Sequence, residues 1–345
     1  MRRFFHDALA IALIAVGCQT TVSAQNTKPG QTFQENTSRW ADKVEQSYRR
    51  GITYLSSSQN EDGYWVGNSY GSEPGVVGLA IVAILAHGDD PNFGPHASTI
   101  KKGLGYIMSK TNKDTGYIGS SMYNHGFATL ALAEAYGVVA DPRLGPALRK
   151  AVDLILNSQK KNPKGAWRYS PESKDADVTV SGAQMVALFA ARNAGLGIPN
   201  QAIEKGKEFM LTCQSSNGGF GYTSSSSPNA PRSAIGCLTL ALNKDKDTKA
   251  YEKACEYLFS QEGSSLSHYR FYNLYYTSQA VFHASPEKWR EWNANNINRL
   301  LPSQNKDSGS KDYGSWSGNY GKTFSTSAAL LSLALNYRFL PIYER

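Results

Sequence analysis

The chain has 345 residues, of which 41% are hydrophobic, so it is long and apolar enough to bury a sizeable core. Its formal net charge at pH 7 is +8, and the basic residues are scattered rather than gathered in a stripe with interleaved aromatic residues. This pattern argues against a nucleic-acid-binding protein and is typical of a solvated cationic surface.

Residues 1–24 have the three parts of a signal peptide. Two arginines precede an apolar run over residues 8–17, and the small residues of Val22-Ser23-Ala24 form a cleavage site. We therefore expect an exported protein, periplasmic or extracellular. The alternative is a lipoprotein anchored through Cys18, although alanine stands where such signals usually have leucine, three residues before that cysteine.

After the leader, residues 25–42 are polar and predict a flexible lead-in to a single domain over residues 43–345. No later stretch is long and apolar enough to predict a transmembrane segment.

A frame of residues recurs along the domain at intervals of roughly 45 to 55 residues, which is typical of repeat architectures. It consists of a small residue, an aromatic or aliphatic pair, a glutamine, and a closing glycine and aromatic residue. The copies are Gly51-Tyr54-Leu55-Gln59-Gly63-Trp65; Gly103-Tyr106-Ile107-Gly116-Tyr117, which lacks the glutamine; Ala151-Leu154-Ile155-Gln159-Gly165-Trp167; Gly206-Phe209-Met210-Gln214-Gly218-Phe220; Ala254-Tyr257-Leu258-Gln261, which lacks the closing pair; and Gln304-Gly314-Trp316.

Each repeat predicts two helices. The first is amphipathic and ends at the glutamine, and the second is almost wholly apolar and small, as in residues 75–86, 126–136, 180–194 and 326–336. A helix that is apolar on every side must be buried on every side. We therefore predict an all-α fold, an (α/α)6 toroid of six hairpins with buried inner helices and amphipathic outer helices.

The frame residues are interpreted as structural. A glutamine in the last turn is able to donate to the unpaired carbonyls of its own helix end. The glycine permits a left-handed exit from the helix, and the aromatic ring covers the joint.

The frame resembles the QW repeat of the squalene and oxidosqualene cyclases, which is related to the protein prenyltransferase β subunits. The chain also resembles secreted bacterial proteins described as prenyltransferase or squalene-oxidase repeat proteins, over residues 123–137, 167–184 and 324–343. The resemblance covers about residues 45–340 and implies an α/α toroid with a central cavity. It does not by itself imply a particular activity.

In such a ring the starts of the inner helices surround one mouth of the cavity, so residues there are candidates for a site. The candidates for ligand binding are Glu73, Tyr123, Asp175, Thr179, Arg232, His268, Tyr272 and Tyr276, and those for catalysis are Asp177 and His125. The tyrosines would offer either ring faces to a cation or core packing.

Asp177 is the sharpest of these candidates. The cyclases that the chain resembles carry an acid motif, D-x-D-D-T, whose middle aspartate would match Asp177 in the sequence Asp175-Ala176-Asp177-Val178-Thr179. Val178 replaces the last aspartate of that motif. The competing interpretation is a helix cap, and His125 is likewise either a proton-transfer group or a structural histidine.

Several chemistries are not supported by the sequence. The zinc site of the protein prenyltransferases needs an Asp-x-Cys pair, which is absent, so we predict no metal and no cofactor. The mature chain keeps Cys213, Cys237 and Cys255. Cys237 is expected to be a buried hydrophobic residue, and a disulfide between Cys213 and Cys255 stays open.

Three functions remain for comparison. The first is a binding protein whose cavity holds an apolar, isoprenoid-like small molecule or an envelope polymer. The second is an acid-triggered cyclase-like isomerase, and the third a carbohydrate-active enzyme that uses Glu73 and Asp177 as its paired carboxylates. A protein partner is left open.

Overall fold

The computed structural model describes residues 31–66, 70–261, 269–337 and 340, with side chains from residue 40 onward. The predicted signal peptide, Cys18 and His268 lie outside these residues. Twelve α-helices and no β-strand occur in the described ranges. The helices are α1 (Gln31–Ser58), α2 (Pro74–Leu85), α3 (Ala97–Ser109), α4 (Met122–Ala135), α5 (Leu144–Lys161), α6 (Val178–Asn193), α7 (Asn200–Thr212), α8 (Ala230–Leu242), α9 (Lys249–Ser260), α10 (Arg270–Ala284), α11 (Pro286–Ser303) and α12 (Lys322–Ala334).

The helices form two concentric layers. The even-numbered helices make an inner ring in which each packs against the next and α12 packs against α2. The odd-numbered helices lie outside, each packed mainly on the inner helix that precedes it, with α1 on α12. The predicted (α/α)6 toroid is confirmed, and its inner helices are buried almost from end to end. None of the helices in the described ranges is long and apolar enough to cross a membrane.

The first helix begins earlier than the sequence suggested. The backbone is helical from Gln31, so α1 begins within residues 25–42, for which the sequence predicts a flexible lead-in. Trp40 packs against the hydrophobic core and supplies an apolar contact at this end of α1.

The frame glutamines link successive repeats. In four of them the side-chain Nε2 donates to two carbonyl oxygens, one in its own closing loop and one in the next outer helix, at 2.8 to 3.1 Å. The pairs of acceptors are Gly63 and Thr99 for Gln59, Gly165 and Ala202 for Gln159, Gly218 and Ala250 for Gln214, and Gly314 and Ser47 for Gln304. The last of these joins the sixth repeat to the first.

The prediction that the frame glutamine donates to the carbonyls of its own helix end was wrong. The donor to the glutamine's own helix is the indole of the frame tryptophan, not the glutamine amide. Trp65 Nε1 donates to Leu55 O at 3.0 Å, Trp167 to Ile155 O at 2.8 Å and Trp316 to Leu300 O at 2.9 Å. A buried N–H needs an acceptor, and this helix-end carbonyl provides one.

The frame glycines are required for two reasons. Gly63 and Gly314 have φ values of 91° and 87°, which favour glycine. A Cβ on Gly63 would lie 2.2 Å from Lys102 O, and one on Gly314 would lie 2.0 Å from Arg50 O. The loop therefore rests directly on the backbone of the next outer helix.

The three described cysteines are buried and unbridged. Cys237 is a buried core residue of α8, as expected. Cys255 faces Cys237, with the two Sγ atoms 3.4 Å apart, so the Cys213–Cys255 pairing left open by the sequence is not the one that the helices bring together. The reason is that α9 packs on α8, its preceding inner helix.

Glu134 is a buried acid near the end of α4, with only 5% of its surface exposed. Its Oε2 has no hydrogen-bond partner among the described residues. Burial raises the pKa of this carboxyl to about 8, because the charged form is poorly solvated there.

Replacing Gln159 with alanine should lower the free energy of unfolding by about 2 kcal/mol, because one buried and one partly buried carbonyl lose this donor. The matched control is Gln261→Ala. Among the described residues the amide of Gln261 donates to the exposed Ser260 hydroxyl, so its loss should cost under about 0.5 kcal/mol. Urea unfolding of both variants measures the difference. Equal losses in the free energy of unfolding would refute the stabilising role of the bridging glutamine.

Glu134→Gln should remove a pH dependence of stability. Between pH 4.5 and about 8 the unfolded chain has released this proton while the folded chain keeps it, so raising the pH favours unfolding. The free energy of unfolding of the wild type should therefore fall relative to the variant across this window, by up to about 4 kcal/mol. Denaturant unfolding at pH 5, 6.5 and 8 tests this, with exposed Glu208→Gln as control. Parallel profiles for wild type and Glu134→Gln would contradict it.

Candidate functional site

A cavity of about 760 Å³ opens where the inner helices begin. Every inner helix contributes to its wall through its first turns or through the loop before them. The lining residues are Tyr70, Glu73, Gly75, Val76, Leu79, Ser120, Ser121, Tyr123, Asn124, Phe127, Tyr169, Thr179, Tyr222, Asn229, Pro231, Arg232, Tyr269, Tyr272, Tyr320 and Phe324. The cavity thus lies at the mouth predicted from the repeats.

One side of the mouth is a group of three tyrosine rings. Tyr269 and Tyr320 are stacked with centroids 6.3 Å apart, and Tyr70 lies 5.9 Å from Tyr320. Tyr70 and Tyr269 are about half exposed, so part of each ring is open to solvent.

The opposite side carries a second aromatic pair held by an arginine. The hydroxyls of Tyr169 and Tyr222 are 2.5 Å apart. The Arg168 guanidinium lies 5.4 Å from the ring of Tyr169 and 5.3 Å from the ring of Tyr222. Because Arg168 is also paired with Asp175 and Asp177, at 2.6 and 3.5 Å, the two rings are held in a fixed position.

The floor of the cavity is apolar. Val76, Leu79, Phe127 and Phe324 form it, and Tyr123 stacks over Phe127 with centroids 6.4 Å apart. Burial raises the pKa of Tyr123, so its hydroxyl stays protonated at neutral pH. The cavity therefore changes from polar at its mouth to apolar at its base.

Glu73 is the one carboxylate among the described residues that line the cavity. Its Oε2 accepts hydrogen bonds from Asn124 Nδ2 at 2.5 Å and from the Ser120 hydroxyl at 3.3 Å. Asn124 Oδ1 accepts from the backbone N–H of Gly75 at 3.1 Å. Asn124 thus fixes the carboxylate and the start of α2 together.

Arg232 is the one cation among those lining residues. Its Nε donates to Asn229 Oδ1 at 2.9 Å, its Nη2 to Ser227 O at 2.7 Å, and its guanidinium lies 5.9 Å from the Tyr222 ring. Burial lowers its pKa, but a guanidinium stays charged at any physiological pH.

The predicted site residues divide into three groups. Glu73, Tyr123, Thr179, Arg232 and Tyr272 line the cavity as expected. Asp175, Asp177, His125 and Tyr276 do not line it, and His268 is not described. Asp175 is exposed and binds Arg168, while Tyr276 is wholly buried against Tyr272 and Tyr275.

Asp177 has the geometry of a helix cap. Its Oδ1 accepts from the backbone N–H groups of Thr179 and Val180 at 2.9 Å and from the Thr179 hydroxyl at 2.6 Å. Burial raises its pKa, while these hydrogen bonds and Arg168 act in the opposite direction. Asp177 itself does not line the cavity, whereas Thr179, whose hydroxyl it binds, does.

His125 is a structural residue. Its Nδ1 accepts from the backbone N–H of Ile118 at 3.1 Å and its Nε2 donates to Ala151 O at 3.0 Å, so both ring nitrogens are occupied. Burial lowers its pKa to about 4, which keeps the ring neutral. These contacts favour the structural interpretation of His125 over the proton-transfer one.

The repeat explains why Asp177 is a helix cap and why both ring nitrogens of His125 are hydrogen-bonded. Ser181, Ser233 and Thr326 accept the backbone N–H of the frame aromatic residue in their repeats, as His125 accepts that of Ile118. Four residues before Ser181, Ser233 and His125 stand the caps Asp177, Asn229 and Ser121. Asp177 and His125 thus occupy recurring structural positions.

Tyr169 and Tyr222 were missed by the sequence reasoning because they precede the inner helices by several residues. A signal was present, since each stands two residues after a frame aromatic, Trp167 or Phe220. No cluster of three or more potential metal ligands occurs in the described part of the chain.

The chain belongs to a protein family described as a domain of unknown function, DUF6288, whose model matches residues 45–343. No curated protein matches it. The narrower resemblance to prenyltransferase and squalene-oxidase repeat proteins stays a resemblance.

Solved structures share the fold at low identity. A variant of the type II terpene cyclase MstE from Scytonema, in complex with its product merosterolic acid A, has a TM-score of 0.59 and 15% identity, covering 86% of this chain and 97% of that one. An inactive variant of the α-1,6-mannanase GH76A of Salegentibacter sp. HEL1_6, in complex with α-1,6-mannotriose, has a TM-score of 0.62 and 9% identity, covering 86% of this chain and 99% of that one. A family 76 glycoside hydrolase from a bovine Bacteroides thetaiotaomicron strain has a TM-score of 0.64 and 11% identity, covering 85% of this chain and 77% of that one. These likenesses show the α/α toroid.

Asp177→Asn should cost under about 1 kcal/mol of stability, because asparagine also caps a helix, whereas Asp177→Ala should cost about 2 kcal/mol. Asn229→Ala, at the equivalent cap of α8, is the matched control and should resemble Asp177→Ala. Chemical denaturation measures all three. If asparagine at 177 were as damaging as alanine, the ion pair with Arg168 would outweigh the cap.

Proposed function

We propose that the protein is an exported binding protein whose cavity takes a short stretch of a polyhydroxylated polymer, such as the sugar units of an envelope glycan. The observation that carries the proposal is the lining of the cavity. It combines open tyrosine faces with fixed hydroxyl, amide and charged groups. Tyrosine provides a large, rigid and amphipathic contact at a low cost in conformational entropy.

The polar groups suit a ligand with many hydroxyls. Glu73 is an acceptor held by Asn124, and Arg232 is a donor held by Asn229. A sugar hydroxyl is both donor and acceptor, so it would pair with either group. Because the protein side chains are held in place beforehand, binding would order few of them.

Two features favour binding over the cyclase alternative. Asp177, the proton donor that the resemblance implies, caps α6 and does not reach the wall. Val178 also stands where the motif of the cyclases has a further aspartate beside the proton donor.

The glycosidase alternative lacks its second acid. Glycoside hydrolysis needs two carboxyl groups facing the scissile bond. Glu73 is on the wall, but its predicted partner Asp177 is not. The likeness to the mannanases therefore supports a glycan ligand more than it supports hydrolysis.

An amphipathic isoprenoid is the second candidate ligand. The floor of Val76, Leu79, Phe127 and Phe324 would take an apolar chain, while the tyrosine mouth would hold a polar head. MstE, which shares the fold, has been solved with geranylgeranyl dihydroxybenzoate.

The test uses protein purified from its own envelope fraction, whose N-terminus should begin at Gln25 by mass spectrometry. Retention on insoluble envelope polysaccharides and calorimetry with their oligosaccharides measure binding. Tyr169→Ala and Tyr222→Ala should each weaken it at least about fivefold, since stacking on an aromatic ring is worth about 1 kcal/mol or more.

Tyr136→Ala is the matched control, because Tyr136 is a partly exposed tyrosine at the far end of α4 and should leave affinity unchanged. Binding of squalene or a polyprenol, without binding of any polysaccharide, would overturn the glycan proposal in favour of the second candidate. Equal losses in all three variants would place the ligand outside the cavity.

A further inference from the structure

A pair of cysteines lies on the side of the ring, away from the cavity mouth. Cys237 is on α8 and Cys255 on the neighbouring outer helix α9, and their Sγ atoms are 3.4 Å apart. A disulfide bond is about 2.05 Å long, so a small rotation of the side chains would bring the two sulfurs within bonding distance.

Only one of the two thiols faces the outside. Cys237 is completely buried, whereas Cys255 lines a second pocket of about 440 Å³ on the outer surface. The pocket is formed by Lys246, Asp247, Thr248, Tyr251, Glu252, Cys255, Glu256, Phe259, Ala284 and Ser285. A small reagent would therefore meet Cys255 first.

The surroundings shift the pKa values of the two thiols in opposite directions. A hydrogen bond from the Cys237 thiol lowers the pKa of Cys255, and Tyr251 and Lys246 act in the same direction, against the opposing effects of burial and of Glu256. The pKa of Cys237 is correspondingly raised, by the same hydrogen bond and by burial. The thiolate is the reactive form of cysteine, so it forms preferentially on the accessible member of the pair.

We propose that Cys255 and Cys237 are a redox-active dithiol in which Cys255 attacks an external disulfide and Cys237 resolves the product. The Cys255 thiolate bonds to one sulfur of the external disulfide, whose S–S bond breaks and releases one thiolate. Cys237, losing its proton, then attacks Cys255 Sγ and releases the second. Two protein thiols are oxidised, one external disulfide is reduced to two thiols, and the two protons go to the released thiolates.

The product would be a covalent link between the inner and outer layers of the ring, closing a loop between residues 18 positions apart. Such a link stabilises by restricting the unfolded chain. Cys213 takes no part, since it is buried at the end of α7.

The experiment treats the folded protein with cystamine, a small cationic disulfide suited to a pocket that contains Asp247, Glu252 and Glu256. The reaction is quenched with acid, and free thiols are alkylated in denaturant before tryptic mapping without reductant. Trypsin cleaves after Lys244, Lys246, Lys249 and Lys253, so the bond would join two separate peptides. We expect Cys237 linked to Cys255 and Cys213 alkylated, with Tm raised by about 5 °C and restored by dithiothreitol.

Two variants assign the roles. Cys237→Ser should trap a stable cystamine adduct on Cys255, while Cys255→Ser should leave Cys237 unmodified in the folded protein. Cys213→Ser is the control and should behave as wild type. Alkylation of all three cysteines in treated wild type, a link to Cys213, or equal adduct formation on Cys237 and Cys255 in the two variants would each overturn the proposal.

Discussion

The ring depends on a side-chain amide that spans two repeats. Gln304 is its most complete example, because Nε2 donates to Gly314 O and Ser47 O while Oε1 accepts from the Ser47 hydroxyl and from Arg50 Nε. All of its polar atoms are used, in a place where an unpaired one would be costly. Since Ser47 and Arg50 belong to α1, this one residue fixes the last repeat to the first.

Hydrogen bonds between the frame and the inner helices also fix the positions of the residues that line the cavity. In three repeats the frame aromatic donates its backbone N–H to a hydroxyl of the following inner helix, as Trp167 does to Ser181. In the second repeat Ile118 donates its backbone N–H to the His125 imidazole. That bond fixes where the helix starts, and the cap four residues earlier fixes the loop that enters it. Tyr169 and Tyr222, two residues beyond frame aromatics, are therefore held by the same scaffold that closes the ring. Binding groups on a rigid frame need little reordering when a ligand arrives.

The fold could be predicted from the sequence because period and polarity are local properties. Wholly apolar segments following glutamine-ended amphipathic ones admit few arrangements other than a double ring. The position of Glu73, Thr179 and Arg232 on the cavity wall followed from the same rule. The role of Asp177 could not be settled in this way. A motif compares one segment of the chain with another protein. The role of Asp177 follows instead from the equivalent position in another repeat of this chain, where Asn229 caps α8.

The partner of the frame glutamine also could not be predicted, because it lies about 40 residues away in the next repeat, as with Gln59 and Thr99. Four of the six junctions between repeats carry such a bridge, and one of them is the junction between α12 and α1, where no peptide bond continues the ring. The point at which the chain opens is thus an arbitrary feature of the fold. A circularly permuted chain, with α12 joined to α1 and a new opening between two other repeats, would retain every bridging amide and present the same cavity.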